Sequence, residues 1–127
     1  TGADANQVAY ITLTGTLYAV SKSFRIDHPT KPGKKLIYGS LEGPENGVYV
    51  RGKLNGNVIE LPDYWTKLVD PDSITVQLTP IGKHQTLYVE DIADNKVYVA
   101  GADEINCFYF VQAERIDIEK LQVETDE

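Results

Sequence analysis

The sequence predicts an all-β fold: an antiparallel, sandwich-like domain with one short helix at about residues 62–69. Three features point there. Short runs rich in Val, Ile, Thr and Tyr alternate apolar with polar side chains, the period of a half-buried strand. Clusters of Gly, Pro, Asn and Asp separate these runs at roughly 8–12-residue spacing, as in sandwiches and barrels. Only one segment combines a helix start with an apolar helical face. The densest organisation lies in Phe24–Gly52 (FRIDHPTKPGKKLIYGSLEGPENGVYVRG), which alternates strand, turn, strand, turn, strand.

In chain order, Thr1–Gln7 is small and polar and is expected to be a flexible lead-in. Val8–Val20 (VAYITLTGTLYAV) suits a pleated surface, and Gly15 either splits it into two strands or marks a bulge. Residues 1–20 are therefore set apart from a single β-rich domain at 21–127. Ser23–Asp27 turns Phe24 and Ile26 inward and Arg25 outward. Pro29 and Pro32 then remove two backbone donors and stop the ladder. Asp27 is expected to cap this turn and His28 to pack ahead of Pro29. Leu36–Leu41 forms the next strand. Val48–Leu54 sets Val48, Val50 and Gly52 against Tyr49, Arg51 and Lys53. Asn55-Gly56 predicts a type I′ hairpin to the strand at 57–61, because that turn needs positive φ at both positions.

Leu61–Val69 (LPDYWTKLV) is the helix segment. Pro62 is pre-organised for a first turn, and Asp63 suits the positive end of the helix dipole. Tyr64, Trp65, Leu68 and Val69 make one apolar face, and Asp70-Pro71-Asp72 ends it. So short a helix must dock on the sheet. Ser73–Ile81 alternates cleanly. Gly82-Lys83-His84-Gln85 turns the chain, and Asp94-Asn95 joins Thr86–Ala93 to Lys96–Ala100. Asn106–Ile118 is the longest strand. Its first half is apolar on both faces, which predicts a central position or a subunit contact. The terminal QVETDE is expected to fray.

The chain has 127 residues, one domain's worth, and at this size roughly two thirds of the unfolded surface is hidden on folding. Its net charge of -7 argues against nucleic acid, which needs a basic stripe. Lys31, Lys34 and Lys35 cluster in a Pro/Gly turn and read as a solvated loop. The acidic surface disfavours anionic membranes, no apolar run approaches the ~20 residues of a bilayer span, and no signal-peptide pattern is present. A lone Cys107 allows no internal disulfide and is expected to be buried and inert. The absence of any Met marks the chain as a trimmed product or an excised piece, expected to be the end of a larger protein.

No stretch carries evident catalytic machinery, and no cofactor is implied. Neighbours on a strand point to opposite faces, so Asp27 could not easily orient His28 as a base. His84 lies in a turn and is expected to face solvent. Two His and one Cys, far apart, match no zinc spacing. Asp70-x-Asp72-Ser73 lacks the Gly and the closing Glu of a calcium loop. Glu42 with Glu45, and Glu114, Asp117 and Glu119 near Arg115, could serve glycoside hydrolysis only at a set separation across a cleft. The remaining feature is aromatic: eight Tyr, three Phe and one Trp. Tyr49 shares a face with Arg51 and Lys53, and Tyr88 and Tyr98 point away from their apolar neighbours. These rings serve either cross-strand pairing or a patch that binds a sugar or another subunit. Tyr49, Arg51, Tyr88 and Tyr98 are the binding candidates.

Three blocks carry a resemblance: LYAVSKSFRIDHPTKPGKKLIYGSLEGPENGVYVRGKL, IELPDYWTKLVDPDSITVQLTPIG and INCFYFVQAERIDIEKL. In that order they resemble the C-terminal module of tailed-phage virion structural proteins, especially those of phages infecting cyanobacteria. The likeness covers nearly everything after Leu17 and departs at residues 1–16, where a fibre stem would vary. It implies a virion appendage such as a tail fibre, extended and homotrimeric, with this domain as its terminal cap and a host-surface polysaccharide as a partner. Phe24, Ile26, Asp27, His28, Pro29, Ser40, Glu42, Gly43, Pro44 and Glu45 carry the match, with Leu61, Pro62, Trp65, Leu78, Thr79 and Gly82. They look architectural, and the family brings no catalytic motif to transfer. Two other classes stand beside this expectation. One is a self-cleaving assembly chaperone, which would need a Ser-Lys pair and a long helical section. The other is a small cell-wall glycan hydrolase.

Overall fold

In a computed structural model of the chain, residues 9–15, 17–19, 23–124 and 126 are described. The expected lead-in at 1–7 lies outside them. The fold is built from antiparallel sheets. Strands β1 (Ala9–Ile11) and β2 (Leu17–Ala19) pair with each other, so the chain splits near Gly15, whose N–H donates to the Thr12 carbonyl at 3.0 Å. Strands β3 (Ser23–Asp27) and β4 (Lys35–Gly39) form a hairpin in register Asp27 opposite Lys35. Strands β5 (Gly47–Asn55), β10 (Asn106–Glu114) and β7 (Thr75–Pro80) make one three-stranded sheet with β10 in the middle. Strands β6 (Val58–Glu60), β9 (Lys96–Ala100) and β8 (Tyr88–Ala93) make the other, with β9 in the middle.

Alternation decides what each strand gives the core. Val48 and Leu54 from β5 and Cys107, Val111 and Ala113 from β10 are buried, with Val76 and Leu78 of β7 packed against them. The second sheet contributes Ile59, Val97 and Val99, backed by Val89 and Ile92. All belong to one hydrophobic cluster. Burying each such Val, Leu or Ile contributes about 1.5–3 kcal/mol, before the conformational entropy that opposes it. The helix α1 (Trp65–Leu68) plugs the cluster with Trp65, 1% exposed, and Leu68, fully buried.

The helix is shorter than the expected 62–69. The N–H groups of Trp65, Thr66 and Lys67 each bond three residues back, to Pro62, Asp63 and Tyr64. Val69 is already extended and bridges to Arg115, so sheet-like pairing stops the helix after one turn. A second turn of 3-10 type follows at Pro71–Ser73, where the Asp70 carboxylate accepts from the Asp72 N–H at 3.0 Å. Likewise β10 ends at Glu114 instead of running on to Ile118. Arg115 still gives its N–H to the Asn46 carbonyl in register, but Ile116 donates to the Leu68 carbonyl at 2.9 Å and the Arg115 guanidinium forks onto Asp117 at 2.8 and 2.7 Å, so the chain leaves the β5 ladder there.

The two Asn/Asp-type turns have different outcomes. Asp94-Asn95 forms the expected two-residue turn, with φ of 54° and 59°, between Ala93 and Lys96. Asn55-Gly56 does not make a hairpin. Strand β5 pairs with β10 whereas β6 pairs with β9, so this corner carries the chain from one sheet to the other. Gly56 has φ +134°, outside the left-handed helical well that a type I′ turn requires. Its N–H reaches the Ile105 carbonyl at 3.3 Å, and the Asn57 carbonyl accepts from Val99 at 2.8 Å.

At the first turn His28 packs as expected, but it also takes the capping role expected of Asp27. Asp27 is exposed and ion-paired with Lys35, whose ammonium holds its carboxyl below the usual carboxylate range. His28 does the capping: its Nδ1 accepts from the N–H groups of Thr30 at 3.2 Å and Lys31 at 3.0 Å. Its ring meets Tyr64 edge-on at 5.1 Å. This hairpin is held to the core by aromatic contacts. Phe24 stacks on Tyr38 at 5.4 Å, Tyr38 and Tyr64 share a hydroxyl hydrogen bond of 2.7 Å, and Trp65 Nε1 donates to the Tyr38 hydroxyl at 3.3 Å. The Arg115 guanidinium lies over the Phe24 ring at 4.0 Å.

Candidate functional site

Once Cys107, Val111 and Ala113 face inward, the residues between them must face out, because successive strand side chains alternate. Phe108, Phe110 and Gln112 therefore share the outer face of the β5–β10–β7 sheet. The register sets Phe108 opposite Lys53 and Thr79, Phe110 opposite Arg51 and Gln77, and Gln112 opposite Tyr49 and Thr75. The result is an aromatic middle row between a cationic row on β5 and a neutral polar row on β7. Phe108 is 47% exposed and Tyr49 is 40% exposed. Tyr49 stacks on Phe110 at 5.1 Å with an interplanar angle of 11°. The Lys53 ammonium stands 5.7 Å from the Phe108 ring centroid, within cation–π reach.

A shallow depression of about 510 Å³ opens here, walled by Arg51, Lys53, Gln77, Thr79, Phe108 and Phe110. It offers apolar ring faces, two cations, an amide and a hydroxyl. That set can stack an amphipathic ring and hydrogen-bond its substituents. Of the binding candidates from the sequence, Tyr49 and Arg51 lie on this face. Tyr88 and Tyr98 lie on the other three-stranded sheet, in registers opposite Ala100 and Asp91, and Tyr88 is 55% exposed. Phe108 and Phe110 escaped sequence reasoning because a doubly apolar run reads as core. The signal that finds them is strict alternation with Cys107, Val111 and Ala113.

The architectural positions are spread over several connections of the chain. Asp27, His28 and Pro29 belong to the β3–β4 turn, and Ser40, Glu42, Gly43, Pro44 and Glu45 to the connection from β4 to β5. Pro62 accepts the Trp65 N–H and, with Leu61, the Asn95 side-chain amide, at 2.7 and 3.3 Å. Two of the acids weighed for hydrolysis are engaged in ion pairs. Glu114 binds Lys120 at 3.1 Å, and Asp117 is held in the Arg115 fork. His84 is exposed, with Nε2 3.5 Å from the Thr86 hydroxyl. Among the described residues, no group of three His, Cys, Asp or Glu side chains gathers where a metal could sit, and no helix is long and apolar enough to cross a membrane. Burial pushes the Cys107 thiol up from its ordinary range, as an inert core thiol requires.

Compared with known proteins, the chain matches no family model, no curated protein and no solved structure.

Proposed function

We propose that this domain is the terminal, non-enzymatic module of a tailed-phage fibre-like appendage. In this reading it caps a homotrimeric shaft in the virion and presents a face to host-surface glycans. The order of the three resembling sequence blocks supports the appendage. The outward aromatic row of β10, flanked by the side chains of β5 and β7, is the observation that carries the adhesive half. Exposed rings on a rigid sheet bind at little entropic cost, because neither the backbone nor a long flexible side chain must be ordered. The cap role has its own logic: a fibre stem ends in unpaired strand edges, and a folded module covers them.

Light scattering on the purified chain tests the assembly, with a trimer mass expected. A glycan array probed with the wild type and with Phe108→Ala tests adhesion. Signals that vanish in the variant are expected. A stable monomer at high concentration together with a blank array would overturn the proposal.

A further inference from the structure

In the middle of the outer face of the β5–β10–β7 sheet, opposite the phenyl rings, the charged side chains are cations, in a chain that is acidic overall. The molecule has 12 Lys and Arg against 19 Asp and Glu, yet this face presents Arg51 and Lys53 from β5 with no carboxylate in ion-pair reach of either among the described residues. Opposite them on β10 stand aromatic rings, and beyond those, on β7, Thr75, Gln77 and Thr79, which carry no charge. Glu114, at the far end of the same strand, is already held by Lys120. Exposed charges farther off than about 8 Å are largely screened at physiological salt, which favours the two cations directly across from the rings.

We propose that this face binds an acidic saccharide, a sugar unit bearing a carboxylate, with its ring on Phe108 or Phe110 and its carboxylate on Lys53 or Arg51. The inference rests on the adhesive reading above and adds the ligand's charge. The register is the argument. Each phenyl has a cation directly across the ladder, Phe108 with Lys53 and Phe110 with Arg51. Directly opposed side chains are about 5 Å apart at Cβ. That spacing suits an anion joined directly to the ring that stacks. Arg51 offers a planar fork for a carboxylate, and Lys53 a point charge. Gln77 and Thr79 remain on the other flank for ring hydroxyls. A neutral sugar would use the phenyl rings and leave both cations without an anionic partner.

The test uses the intact chain and a panel of carboxylated oligosaccharides (oligogalacturonate, oligoalginate and hyaluronan fragments), each beside its carboxyl-reduced, uncharged counterpart. Binding is read by calorimetry at 50 and 500 mM salt, for the wild type, Arg51→Gln, Lys53→Gln and Phe108→Ala. At least one acidic oligomer is expected to bind, with affinity about tenfold or more weaker in at least one of the two Gln variants, as a charged hydrogen bond implies, and weaker at high salt; unchanged affinity in both would overturn the inference. Its reduced counterpart is expected to bind at least tenfold less well. Equal binding of acidic and reduced forms, lost in Phe108→Ala, would overturn the inference while leaving adhesion in place. No binding across the panel would overturn it too, and the glycan array then judges adhesion separately. Concentration-dependent self-association abolished by Phe108→Ala would identify the occupant as a second copy and also overturn it. Circular dichroism of all three variants is expected to match the wild type, since Arg51, Lys53 and Phe108 are exposed.

Discussion

Replacing Gly101 by Ala tests how β9 and β8 are packed at the end of their ladder. Gly101 follows β9 directly and has φ +119°, where a side chain is strained whatever the space around it. A Cβ built there would lie 1.8 Å from the Thr86 carbonyl oxygen, 2.9 Å from its carbon and 3.1 Å from the Leu87 Cα. All three atoms are backbone, so no side chain can rotate aside. Restoring ordinary contact at 3.4 Å requires the segment entering β8 to move by 3.4 − 1.8 = 1.6 Å. Unfavourable φ alone costs about 1–3 kcal/mol, and displacing the chain adds to it. The total expected is at least about 3 kcal/mol, or about 12 °C in Tm for a domain of this size. The control is Gly39→Ala in β4, which has open space and ordinary φ, and is expected to change stability by under about 1 kcal/mol. Urea titration followed by Trp65 fluorescence reads both. If Gly101→Ala lost no more than Gly39→Ala, the close approach of the two backbones would be wrong.

Three further perturbations probe the interior. Gln85, 7% exposed, donates to the Asn106 carbonyl at 3.0 Å and accepts from the Asn106 N–H at 3.1 Å, so its amide acts as one more rung of the β10 ladder; Gln85→Ala is expected to cost about 1–3 kcal/mol in a denaturant titration, and a loss below about 0.5 kcal/mol would show the rung to be idle. Burial, then the Tyr38 hydrogen bond, hold the Tyr64 phenol well above its ordinary range. Above pH about 10 the unfolded state therefore loses a proton that the folded state keeps, and stability falls as pH rises, by at most about 1.4 kcal/mol per pH unit and less because Tyr64 is partly exposed. Tyr64→Phe should flatten that slope, and an unchanged alkaline profile would refute the assignment. Cys107, fully buried in the core, should react with a thiol reagent only at the rate the domain opens, and rapid labelling in native buffer would contradict its place on the inner face.

Local patterns decide the structure where the cause is local. The alternation of Thr75 to Thr79 places Val76 and Leu78 inside and Thr75, Gln77 and Thr79 outside, because period 2 belongs to any strand with one wet face. Asp94-Asn95 turned as its residues demand, since both can adopt positive φ. Trp65 and Leu68 docked because so short a helix is stable only when its apolar face is covered.

Remote partners override the local pattern elsewhere. Asn55-Gly56 has hairpin chemistry, but the strands it joins found better neighbours elsewhere: β5 lies along all of β10, and β6 along β9, so the corner opened to pass between sheets. His28 displaced Asp27 as the cap because Lys35, across the hairpin, claimed the carboxylate. The outer face of the β5–β10–β7 sheet is the largest example. Turn chemistry and alternation placed Tyr49 and Arg51 on one side of their strand. That Phe108 and Phe110 stand beside them depends on which strand lies next to which and in what register, a choice settled by contacts some sixty residues apart along the chain, beyond the reach of any local pattern.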